Sequence, residues 1–164
     1  MVCDNYKYSS IVLAYYIVAL MNQRGLEINM TKLQKLLYIA YGTYLAIKNQ
    51  RLTNEHPQAW PYGPVFPTTR NRLLKKDLSL INLSIPELND IQKDTEIQSL
   101  MMLVLNGFGA KNATTLSVWS HQSGSPWDRV VSQEGFTWGA RIPDEYIKEY
   151  FNTSIYNRLL LNIL

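Results

Sequence analysis

Apolar residues recur at three- and four-residue steps in several stretches of the chain. The strongest is Leu33, Leu36, Leu37, Ala40, Tyr41, Tyr44 and Ile47, a spacing that lines one face of a helix. Tyr38, Ile39 and Leu45 widen that stripe, so the helix is expected to be enclosed on more than one side. Thr31 with Gln34 three residues on reads as a capping box that starts it. An earlier helix is predicted from Ser9 or Ser10 to about Gln23, with Gly25 as its stop; at least one of its neighbours Tyr15 and Tyr16, which point about 100° apart, should be buried. Asp94 opens another, with Ile97, Leu100, Met101, Val104, Leu105 and Phe108 on one face and Gly107 and Gly109 at its end. Asn112 is placed to cap a short helix with Leu116, Trp119 and Ser120 on one side, ended by Gly124 and Pro126. A last helix starts with Pro143 at its first position and Asp144 and Glu145 in the first turn, where the helix dipole favours acids; Tyr146, Ile147, Tyr150 and Phe151 share one side. The Ile155–Leu164 end is apolar enough to dock onto the body or onto a partner.

Between these elements the pattern breaks sharply at one place. Residues 57–67 hold four prolines, a glycine and the pair Trp60 and Tyr62 in eleven positions. Each proline locks its own φ and pushes the residue before it out of the α region, so Trp60 and Gly63 should be extended or in a turn. A rigid turn carrying Trp60 and Tyr62 is predicted, with Pro64 or Pro67 in the first turn of a third helix from Thr68 to about Asp77. Residues 78–93 alternate leucine, isoleucine and polar groups around Pro86 and admit a short strand or a loop, with Ser84 and Glu87 placed to cap a turn. The expectation is an all-α, single-domain helical bundle of about five to seven helices with a proline-rich turn after the second, its core over residues 8–151 and a tail over 152–164.

Composition narrows the function classes. With 164 residues and 46% hydrophobic content the chain can bury a proper core. The apolar run Ile11–Met21 is too short to span a bilayer, where about 20 residues are needed, and it leads into Asn22-Gln23-Arg24-Gly25 rather than a small-residue cleavage site. One cysteine, Cys3, cannot form an internal disulfide and offers no metal site; no cofactor is expected, and the cytosol is the natural compartment. The four Asn-x-Ser/Thr triplets beginning at Asn29, Asn82, Asn112 and Asn152 then read as caps and turns. A net charge of +3 is far short of what nucleic-acid binding alone calls for. The local cluster Arg70, Arg72, Lys75 and Lys76 reads as a solvated face, since no aromatic or Gly/Ser motif interleaves it.

His121, near Trp119 and Trp127, has two readings. As a general base it would act with Asp128 and one of Ser117, Ser120, Ser123 or Ser125 in a hydrolase or transferase. As a structural residue it would hydrogen-bond backbone carbonyls and hold a tight turn. The second is preferred, because no nucleophile elbow or oxyanion-hole motif accompanies it.

Several blocks together resemble a known family. Thr31-Lys-Leu-Gln34-Lys-Leu-Leu-Tyr38, Ala59-Trp60-Pro61-Tyr62-Gly63-Pro64-Val65, Leu116-Ser-Val-Trp119-Ser-His121 followed by Pro126-Trp127, and Ile142 with Ile147 and Tyr150-Phe151 look like the Panacea domain of the SocA-like, phage-associated antitoxins. Order and spacing agree over roughly residues 8–151. The resemblance implies a mostly helical, non-enzymatic antitoxin that binds and neutralises a protein toxin encoded by an adjacent gene, in prophages or other mobile elements. Its alternative is an adaptor handing the toxin to a cytosolic protease. Thr31, Gln34, Tyr38, Pro61, Gly63, Pro64, Trp119, His121 and Pro126 carry over as structural motif positions. Some members carry a DNA-binding segment before the domain, whereas this chain is expected to start almost directly in its first helix, which argues against direct transcriptional autoregulation; a nucleic-acid partner is not expected, and a homo-oligomer is left open. Departures from the family pattern are Arg70, where an aromatic is usual, and the longer Gln-Ser-Gly-Ser spacer before Pro126. Candidate toxin-binding anchors are Trp60, Tyr62, Arg70 and Trp127, since aromatics and arginine carry most of the energy at interfaces and a proline-fixed turn presents them at little entropic cost.

Overall fold

The structure, a computed structural model, describes residues 3–153. The Ile155–Leu164 end, expected to dock, lies outside the described residues. Seven α-helices are described: α1 (Ser10–Gln23), α2 (Met30–Lys48), α3 (Pro67–Leu73), α4 (Thr95–Phe108), α5 (Ala113–Ser120), α6 (Pro126–Val131) and α7 (Asp144–Phe151). They pack around α2, which contacts α1, α4, α5 and α7. Every residue from Lys32 to Leu45 is buried, including the polar Lys32, Gln34, Lys35 and Thr43, so the helix is enclosed on all sides. Gly42 makes this packing close: a Cβ there would stand 2.3 Å from the Phe151 ring. Tyr38, Phe108, Trp119, Tyr150 and Phe151 form one aromatic cluster with tilted and edge-to-face contacts, the geometry the ring quadrupole favours.

The fold is not all-α. Two two-stranded sheets accompany the helices. In the first, β1 (Cys3–Tyr8) runs parallel to β2 (Gln50–Thr53), so a strand precedes the first helix. In the second, β3 (Gln58–Trp60) and β4 (Gly63–Val65) form an antiparallel hairpin around Pro61-Tyr62. Pro64 faces Ala59, whose N–H and C=O are turned the other way, to Ala140 O at 2.8 Å and Gly139 N at 2.9 Å. A proline therefore sits in the hairpin at no cost to its hydrogen bonding. The proline-rich turn is thus a small sheet.

Helix caps mostly fall where the polar residues suggested. Ser9, Asp94 and Asn112 each accept from a first-turn amide of α1, α4 and α5. All four Asn-x-Ser/Thr asparagines serve in caps and turns: Asn29 and Asn112 are N-caps, Asn152 is a C-cap, and Asn82 accepts from Ser84 N. The capping box at Thr31 and Gln34 is a correction. Asn29 caps α2 through Lys32 N at 2.9 Å, which starts the helix ahead of Thr31, and the Gln34 carbonyl oxygen instead accepts from Phe66 N at 2.7 Å. Three more boundaries move. α3 ends at Leu73, with Leu74 as its C-cap, rather than near Asp77; Pro126 opens α6 instead of only closing the helix before it; and Pro143 stands at the N-cap of α7, one residue before its first turn. Residues 78–93 form three short 3₁₀ turns, not a strand. Among the described residues no helix is long and apolar enough to cross a membrane.

Candidate functional site

The hairpin is held from behind by side chains that take its carbonyls. Trp127 donates its indole N–H to Trp60 O at 2.8 Å. His121 Nε2 lies 3.0 Å from Pro61 O. Lys35 donates its ammonium to Pro64 O at 3.0 Å. Gly63 has φ +104°, and a Cβ on it would meet Ser120 Oγ at 2.6 Å and Lys35 Cε at 2.7 Å, so glycine is needed there both for the dihedral and for the contact. The turn is anchored to α2, α5 and α6 on one side and presents its other side to solvent.

The next helix is fixed by one carboxylate. Phe66 at the α3 N-cap has no side-chain bond to give, and Glu55 supplies it from the loop before β3. Its Oε1 accepts from Thr69 N at 3.1 Å and Thr69 Oγ1 at 2.8 Å, its Oε2 accepts from Thr68 N, and Ser10 Oγ at the start of α1 also donates to it. A carboxylate on these orphan amides also complements the helix dipole. That places Arg70 one turn further on.

Arg70 and the hairpin then face each other across a cleft of about 380 Å³ between the N-terminal turns of α2, the hairpin and α3. The Arg70 guanidinium carbon lies 5.5 Å from the centroid of the Trp60 ring, a cation–π distance. Tyr62 stands at the rim, 75% exposed. Lys35, only 1% exposed, lines the cleft as well. Burial pulls its ammonium down to about 7, because water is removed from the charge and no carboxylate replaces it. Among the described residues neither Lys35 nor Arg70 has an acidic partner.

The sequence model described as "Antitoxin SocA-like, Panacea domain" matches residues 33–128, which span α2 to the first turn of α6 and hold most of the cleft. The chain belongs to this SocA-like Panacea family. One relative is the protein named Antitoxin SocA from Caulobacter vibrioides (strain NA1000 / CB15N), 35% identical over 134 residues, covering 73% of this chain and 69% of that protein. No solved structure matches.

Of the four candidate toxin-binding anchors, the structure brings Trp60, Tyr62 and Arg70 together on the cleft. Trp127 is not on it; half-buried behind the hairpin, it packs on His121 at 4.0 Å between centroids and on Trp138 at 6.3 Å. Of the structural motif positions, Gln34, Gly63, Pro64, Trp119 and Pro126 are buried, as is Tyr38 in the aromatic cluster, while Thr31, Gln34 and Pro61 line the cleft. His121 has Ser117 O 2.5 Å from Nδ1 and Pro61 O from Nε2, the arrangement of a turn-holding residue. Ser120 Oγ lies 3.3 Å from His121 Nδ1 while donating to Ser117 O, and the Asp128 carboxylate accepts from Gly124 N. The basic cluster divides: Arg72, Lys75 and Lys76 are exposed, while Arg70 lies against Trp60.

Sequence reasoning missed Lys35, Glu55 and Trp138. Lys35 carried a signal, since Tyr38 and Gly42 follow it at helical spacing on an enclosed face. Asp144, by its position an acid of the first turn of α7, does more. It is 4% exposed, accepts from Tyr41 OH at 2.5 Å and Arg51 Nε at 3.0 Å, and has His56 Nδ1 3.8 Å away. No group of three or more potential metal ligands occurs among the described residues.

Proposed function

We propose that this chain is an antitoxin that neutralises a cognate protein toxin by binding it directly, and that the cleft between hairpin and α3 is the face it uses. One observation carries the choice of face: Trp60, Tyr62 and Arg70 converge on a single concavity while the backbone that presents them is locked from behind by Lys35, His121 and Trp127. Such a preorganised turn loses little entropy on binding, and an exposed tyrosine and a half-buried tryptophan beside an arginine are the composition of interface hot spots. The relative named Antitoxin SocA supports the antitoxin role. The partner is taken to be the product of an adjacent gene.

The test is co-expression with the product of the adjacent open reading frame, scoring growth and co-purification. Wild-type chain should restore growth in a stable complex. Tyr62→Ala, at an exposed position that leaves the fold intact, should lower the affinity about 10-fold or more. Wild-type binding by both Tyr62→Ala and Arg70→Ala would move the interface off this cleft, and rescue without a stable complex would count against neutralisation by direct binding.

A further inference from the structure

The cleft carries two cations and no acid. Its lining includes Lys35 and Arg70, joined by the apolar side chains Met30, Val65 and Leu74 and the aromatic walls Trp60 and Tyr62. Arg70 is offered in a fixed direction, since Glu55 anchors the start of α3 and the Trp60 ring backs its guanidinium. Lys35 reaches the cleft from inside the core; its hydrogen bond to Pro64 O uses one of three ammonium hydrogens. A buried cation that meets only a carbonyl is costly to keep charged, and an acid brought into the cleft would remove that cost. The apolar walls suit the methylenes that carry such an acid, and the exposed rim at Tyr62 and Leu74 suits the surface of a protein rather than a free small molecule.

We propose that the cleft receives the carboxylate of an aspartate or glutamate side chain of a protein partner, between the Lys35 ammonium and the Arg70 guanidinium. The partner's identity rests on the antitoxin reading. The carboxylate site itself is tested without it.

In the first arm the full chain, with lysine labelled at 13Cε, is titrated by NMR with the α-amide of N-acetyl-glutamate, a probe with one side-chain carboxylate. A saturable shift of the Lys35 signal, weakened in Arg70→Gln, is the expected result. No shift, or saturation by inorganic phosphate at a concentration 10-fold below that of the probe, overturns the proposal. In the second arm the complex with the adjacent gene's product is treated with a carbodiimide. The reagent takes up the carboxylate oxygen as a urea, and the Lys35 amine, losing a proton, forms an amide with the activated carbon; mass spectrometry should find this bond to an Asp or Glu of the partner. Affinity should fall about 10-fold or more in Arg70→Gln and in Lys35→Met. A complex that forms with wild-type affinity in both variants overturns the carboxylate site and leaves the antitoxin reading standing. Failure of the wild-type chain to rescue growth overturns the antitoxin reading, while the titration still decides the site.

Discussion

His121 Nε2 and the Pro61 carbonyl oxygen lie 3.0 Å apart, joining the C-cap of α5 to the tip of the hairpin. The neighbouring carbonyl, Trp60 O, is taken by Trp127, so two rings from a later part of the chain hold two consecutive peptide units. A net hydrogen bond of this kind is worth about 1 kcal/mol, more when its loss strands a buried acceptor. Trp127→Phe, which keeps an aromatic ring but a smaller one and deletes the donor, should lower stability by at least about 1 kcal/mol. His121→Ala should cost about 1–2 kcal/mol, with both measured by urea unfolding. Both should also weaken partner binding more than their stability loss explains, because the turn presents Tyr62.

Glu55 caps α3 from outside that helix. Glu55→Ala leaves the amides of Thr68 and Thr69 without their acceptor and should cost about 1–2 kcal/mol. Faster hydrogen exchange at those two amides, with α4 unchanged, is the measurement that separates loss of this cap from general unfolding.

How much of this was legible depends on the range of the interaction. The helical stripes of α1, α2 and α4 and the asparagine and aspartate caps are local, and the residues announce them. The Thr31 and Gln34 capping box failed because Gln34 is claimed by Phe66 N, a partner 32 positions away that no local pattern reveals. The strands are three to six residues long; β1 and β2 pair across two intervening helices, and two prolines in the hairpin hide its extended backbone. The cleft was half legible: Trp60, Tyr62 and Arg70 stood out by type, whereas Lys35 looked like an ordinary helical lysine. Only the fold sets it beneath Gly63.

Gly42 packs directly under the Phe151 ring of α7. Gly42→Ala drives a methyl into Phe151, which is 2% exposed within the aromatic cluster, so the ring cannot swing into solvent. An overpacking cost of about 1–3 kcal/mol is expected, outweighing alanine's better helix propensity of about 1 kcal/mol. Thermal unfolding should show a lower midpoint; a raised one would mean that α7 can shift freely.

Asp144 makes the fold sensitive to acid. Burial raises its pKa, but His56, Tyr41 and Arg51 pull it down further, to about 2; at 3.8 Å the His56 ring is beyond hydrogen-bond reach, so the shorter Tyr41 and Arg51 contacts carry the larger share. A carboxyl whose folded pKa lies below its unfolded one contributes stability in full above the unfolded value, about 4, and loses it as pH falls through the folded value. Urea unfolding from pH 7 down to pH 2 should therefore show a loss of about 2 kcal/mol below pH 4 from this group. Asp144→Asn should be less stable at neutral pH, by about 3 kcal/mol because the buried carboxylate's charged contact to Arg51 and its bond from Tyr41 are weakened, and should show a smaller fall in acid.

Lys35 acts with the opposite sense. Its folded pKa, about 7, lies below the ordinary lysine value of about 10.4. Between those two the unfolded chain holds a proton that the folded chain has released, so stability rises with pH across the window. The rise levels off near pH 10, where ordinary tyrosines begin to ionise in the unfolded chain, whereas burial keeps Tyr41 and Tyr44 protonated in the folded one. Lys35→Met keeps the length of the side chain and discards the charge. At pH 7 it should be neutral or stabilising, since replacing an uncompensated buried cation by an apolar group removes its desolvation cost, and the gain from pH 7 to 9.5, on the order of 3 kcal/mol in the wild type, should shrink to near zero. A variant that unfolds at all pH values would show instead that the bond to Pro64 O holds the hairpin in place.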